Sequence, residues 1–122
     1  MVFVNTGRNK LALFMVAGSG LSFPRYCAIG SGSGTAIATN GSLVAEVGSR
    51  QDYSAIDSSI AKEVTWTHDY SSSFMSGMSL KEFGLFDTNV AKSGTMWHRE
   101  GFAAVTFDGT NELQIQTTYQ IF

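Results

Sequence analysis

The sequence predicts an all-β domain, an antiparallel jelly-roll-like sandwich of about 7–8 short strands with a short N-terminal helix or apolar segment. Three observations carry that class. Charged residues make up 15% of the 122, well below the roughly 25% of an average soluble domain. Fifteen Ser, eleven Thr and thirteen Gly stand beside fifteen aromatics and a single Pro, a composition of strands and turns rather than helices. Apolar and polar residues alternate over several short stretches, most cleanly at the C-terminal end.

The elements follow in order. Leu11 to Val16 and Ala17 are apolar and lie behind Arg8 and Lys10. The run is too short and lacks the small-residue site of a secretory leader, so it reads as a buried helix begun by Asn5 or Thr6 as N-cap and stopped by Gly18. Pro24 and Gly30 bracket a strand of about five residues. Gly30 to Thr35 is a Gly/Ser loop. Residues 36–50 accommodate one helical turn, with Ser42 as N-cap and Gly48 as stop.

Residues 50–57 and 60–70 read as strands, with Val64, Trp66 and His68 on one face of the second. Residues 71–77 form a loop. Residues 80–86 form a strand in which Gly84 marks a bulge or a close backbone approach. Strands over 94–99 and 102–107 are separated by Gly101, and Asp108-Gly109 is a turn of the type I′ kind. Residues 112–122 alternate, with Leu113, Ile115 and Thr117 facing one way. The chain is one domain, 1–122, with an N-terminal arm over 1–20 and the sandwich over 21–122.

Composition excludes several functions. The net charge is −2, so the cationic surface that drives nucleic-acid binding is missing. No apolar run approaches the about 20 residues of a membrane helix. Cys27 is the only cysteine, with no intramolecular partner for a disulfide and no adjacent cation to activate it. His68 and Asp69 are neighbours and point to opposite faces of a strand. His98 and Glu100 share a face but fall short of a zinc ligand set. The expectation for both histidines is a hydrogen bond beside an aromatic, or surface exposure. Gly30 to Gly34 matches neither a nucleophile elbow nor a phosphate loop. No catalytic, cofactor-binding or metal-binding residue is assigned, and the protein is read as a non-enzyme. Trp66 and Trp97 would form a sugar platform only if exposed; at strand spacing, core or interface positions are expected.

Several pieces, taken in order, resemble small structural proteins of tailed bacteriophage particles. They are Asn5-Thr6-Gly7, Arg25 to Gly34, Leu43 to Val47 followed by Arg50, Lys81 to Phe86, Gly94 to Arg99, and the alternating strand Leu113 to Phe122. The resemblance implies a virion component without catalytic residues. A capsid decoration (cement) protein on the major capsid protein is expected, assembled with copies of itself as a homotrimer. The alternatives are a tail, baseplate or fibre-attachment protein, and a carbohydrate-binding module. The expected contacts are Val2, Phe3 and Arg8 at the N-terminus, Ser31, Ser33 and Thr35 in the loop, and Arg50 and Arg99 at exposed strand ends. Glu46 and Arg50, four apart, are alternatively a local ion pair.

Overall fold

The computed structural model describes residues 2–17 and 23–120, with the side chains of 13–17 left aside. Eight strands among these residues form two antiparallel sheets. In chain order they are β1 (Val2–Phe3), β2 (Tyr26–Gly30), β3 (Glu46–Asp52), β4 (Ala55–Asp57), β5 (Glu63–Tyr70), β6 (Ser79–Phe86), β7 (Met96–Thr106) and β8 (Leu113–Gln120). The larger sheet has the order β1-β7-β6-β2-β3, the smaller β4-β5-β8. Helix α1 (Asn5–Ala17) follows β1, and a single turn, α2 (Ser72–Met75), lies between β5 and β6.

Alternation explains the layering. Cys27 and Ile29 of β2, Leu80 and Leu85 of β6, Tyr70 of β5 and Ile115 of β8 pack between the sheets with Met75 and Phe107. The opposite face of the larger sheet buries Ala28, Phe86 and Met96 under Val4 and Leu43. Both faces of that sheet are therefore covered. The N-terminal segment belongs to the sandwich: β1 pairs with β7 at Arg99 and His98, and α1 packs on β7. A Cβ on Gly7 would come within 2.6 Å of the Trp97 Cα, so only glycine lets this helix lie so close.

Several expectations are corrected. Asn5 is already helical, and the first helical bond runs from Arg8 N to Val4 O at 3.0 Å. The Thr6 hydroxyl serves the sheet instead, donating to Met96 O at 2.6 Å. No helix forms over 42–47; the chain is irregular up to residue 45 and β3 begins at Glu46. The two strands expected over 94–107 are one continuous strand, β7. Asp108-Gly109 does not close a hairpin, because β7 and β8 lie in different sheets. The loop after β5 contains α2, capped by Ser71, whose hydroxyl accepts from Phe74 N at 3.3 Å. Gly84, by contrast, does meet the expected close backbone approach, since a Cβ there would lie 2.9 Å from His98 O. Gly18 as helix stop, residues 21–22 and residues 121–122 lie outside the described residues.

Candidate interaction surface

The connection from β2 to β3, residues 31–45, is the longest irregular segment and contains no charged residue. Loops of this length in a compact domain usually carry function. Ile37 and Val44 are 52% and 64% exposed on it. Its shape is nevertheless imposed from below. Glu82 of β6 accepts from Ala45 N at 3.0 Å and Val44 N at 3.2 Å. Arg99 of β7 donates Nη2 to Glu82 at 2.9 Å and Nη1 to Asn40 Oδ1 at 3.2 Å and Gly34 O at 3.4 Å. Glu82 is fully buried and Arg99 is 1% exposed. Asn5 N donates to Ala38 O at 2.7 Å, tying the start of α1 to the same loop.

A second buried pair fixes the neighbouring turn. Arg50 grips Glu46 through Nε and Nη2, both at 2.9 Å. Its Nη1 donates to Thr88 O and Ser93 O, each at 2.9 Å. The guanidinium sits 3.7 Å above the Phe86 ring. Four residues of straight strand span roughly 13 Å, too far for this contact. A bulge closes the gap. Residues 48–50 lie opposite the single residue Ala28 in the β2–β3 register, and Gly48 adopts φ +67°.

These two clamps correct the expectation for Arg50 and Arg99. Neither is an exposed strand end: both are buried. Arg99 lies inside β7 because the strand runs on through Gly101, whose missing side chain admits Gly34 O (2.7 Å from an added Cβ). The Glu46–Arg50 ion pair does form, but as a buried strand-bulge contact, not a surface pair. The expectation that Glu82 is a solvated carboxylate at a strand end is corrected too: it lies inside β6, fully buried, and positions the loop. One signal points to it: a carboxylate inside an apolar strand requires a buried cation.

The remaining expected contact residues divide between two places. Val2 and Thr35 meet in one shallow groove of about 450 Å³, lined also by Gly34, Ala36, Glu100, Gly101 and Phe102. Ser31 and Ser33 are exposed on the same loop. Arg8 is exposed on α1. Phe3 instead faces a separate cleft, its ring 4.5 Å from His98 and 6.1 Å from Tyr119.

No protein-family model matches the chain, and no curated protein matches it.

The other singled-out side chains are structural. Trp66 and Trp97 are 5% and 3% exposed, and Trp66 packs on Tyr53 and Phe23. A sugar platform on either indole is therefore not present. His68 Nε2 bonds Arg25 O at 2.9 Å, and burial holds the ring below its usual protonation range. Burial likewise holds His98 down to about 4. Burial pushes the Cys27 thiol up to about 12, and the Tyr70 hydroxyl above it, well raised by burial itself, donates to Cys27 O at 2.7 Å. Among the described residues no group of three or more His, Cys, Asp or Glu is placed to hold a metal, and no helix is long and apolar enough to cross a membrane.

Proposed function

We propose that this protein is a structural subunit of a tailed-phage virion that binds neighbouring subunits through the loop 31–45 and the adjoining groove, as a capsid decoration protein. One observation carries the reading. The residues through which the chain resembles such proteins — Glu46 with Arg50, Glu82 within Lys81 to Phe86, and Arg99 — make up the two buried clamps. Their combined effect is to hold an uncharged, partly apolar loop in one shape at the surface. A preformed loop loses little conformational entropy on binding, and exposed Ile37, Val44 and Phe102 supply apolar area for contact. Bound only to the assembled shell, such a subunit stabilises it by mass action, and many copies add.

The test is the copy number of this chain per purified virion, measured by quantitative mass spectrometry against the major capsid protein. Closed symmetry predicts on the order of hundreds of copies on a shell and about 3–12 on a tail collar or fibre base. The high count is expected. The low count moves the protein to the tail, and zero overturns the virion reading. The double variant Ile37→Ser/Val44→Ser checks the surface. Both side chains are exposed, so stability stays within about 0.5 kcal/mol while incorporation into particles falls; undiminished incorporation overturns the role of the loop.

A further inference from the structure

The geometry points to β8 as a self-association edge: Leu113–Gln120 pairs antiparallel with the same strand of a second copy, making one continuous six-stranded sheet from two three-stranded ones. The inference rests on the reading of the protein as an assembling subunit and names how two copies join.

Strand β8 ends the order β4-β5-β8, so among the described residues its outer edge pairs with no strand. The edge is regular. All eight residues hold unbroken register with β5, from Tyr70 opposite Leu113 to Glu63 opposite Gln120. It also carries no charge. Monomeric proteins avoid long, flat, uncharged edges by placing lysine, proline or a bulge there; none of these occurs in β8.

A second copy is the occupant because the strand complements itself. A twofold axis normal to the sheet and passing through Gln116 sets each residue opposite one of its own face. Gln114 then meets Thr118 of the second copy, Gln116 meets its own counterpart, and Leu113 meets Tyr119. Gln114, Gln116, Thr118 and Gln120 line the outer face, Leu113, Ile115, Thr117 and Tyr119 the inner one, and no like charges oppose across the pair.

The smaller sheet has three strands against the five of the larger. Two hollows lie near the two ends of β8, the first lined by apolar side chains alone. One, about 130 Å³, adjoins Leu113 and Ile115 and is walled by Phe102 and Val105. The other, about 690 Å³, runs past Tyr119 at the end of the sheet, between Phe3 and Leu11 on one side and Ile60 to Val64 on the other. An added strand lies about 4.8 Å beyond β8. Twofold pairing closes at two copies, so the assembling unit is a dimer in place of the trimer expected from sequence.

Light scattering of the purified chain after size exclusion tests this. The expected mass is twice the 13.1 kDa of the chain, falling to one chain in Gln116→Lys, which sets two ammonium groups against each other on the axis. Far-ultraviolet circular dichroism of that variant, matching wild type, shows that the fold is kept. Under mild oxidation Gln116→Cys forms an intermolecular disulfide, because directly opposed Cα atoms about 4.5–5.5 Å apart suit one. Gln114→Cys does not, since its counterpart lies roughly 13 Å away along the strands. A monomeric or trimeric wild type, a dimer that survives Gln116→Lys, or equal cross-linking at both positions overturns the pairing. None of these results changes the copy number per virion, which tests the functional reading separately.

Discussion

Replacing Glu82 by Gln tests the clamp beneath the loop. The carboxylate accepts three hydrogen bonds, from Arg99 Nη2, Val44 N and Ala45 N. One amide oxygen replaces only part of this, and the amide NH2 faces donors. Arg99, 1% exposed, is left as a buried cation without a counter-charge, and its Nε already lacks a partner. Removing one member of a buried pair costs about 3–5 kcal/mol, a large part of the 5–15 kcal/mol of a typical domain. For a chain of this size that corresponds to a Tm lower by roughly 12–20 °C. Urea titration measures the loss, with the slope of the transition unchanged. The double variant Glu82→Met/Arg99→Met removes both charges and recovers most of the stability, yet leaves Val44 N and Ala45 N without their acceptor. Hydrogen exchange at those two amides then quickens while exchange in β2 and β6 does not. A loss below about 1 kcal/mol in Glu82→Gln would refute the reasoning, because only a hydrated, exposed pair is worth so little.

Three further outcomes follow from the packing. Glycine to alanine inside a helix normally stabilises by about 1 kcal/mol, but Gly7→Ala destabilises by about 2 kcal/mol or more, because the new methyl meets Trp97 backbone atoms at 2.6 and 2.8 Å; thermal melts read the sign. His98 stays neutral in the fold down to about 4, against 6.5 in the unfolded chain. Stability is therefore indifferent to this group above about pH 6.5 and falls between 6.5 and 4, with about 2 kcal/mol lost by pH 5. Urea titrations at pH 7 and pH 5 show a smaller difference in His98→Gln, and an equal one would be wrong for a buried ring. Cys27, fully buried with its thiol raised to about 12, reacts with a thiol reagent at pH 8 only at the rate of unfolding, so labelling accelerates with urea; rapid labelling of the native protein contradicts the burial.

The strands were legible where alternation is undisturbed. In β5, Trp66, His68 and Tyr70 are buried and Asp69 is exposed, and in β8 Ile115 and Thr117 are buried between exposed neighbours, as period two requires. The reading failed where a bulge or a glycine breaks the period. Glu46 and Arg50 carry the four-residue spacing of a helical ion pair, yet a bulge at Gly48 brings them together on a strand. Gly101 looks like a strand end, yet its bare Cα lets β7 continue past the loop. That error also placed Arg99 at the surface. Of the irregular connection 31–45, the sequence marks only Gly30 to Thr35 as loop and reads a helical turn into the rest, where the structure has none. Its anchors were not legible, because Glu82 and Arg99 are 17 positions apart and their meeting depends on the β6–β7 register.

The span of the clamp also sets an order of events. Gly34 and Arg99 lie 65 positions apart. At about 5–20 residues per second a ribosome needs roughly 3–13 s to cover that distance. The loop is thus synthesised well before the guanidinium that shapes it. A nascent chain therefore carries residues 31–45 without the anchors that fix their geometry. The loop acquires its shape only once the β6–β7 hairpin closes and sets Arg99 beside Glu82.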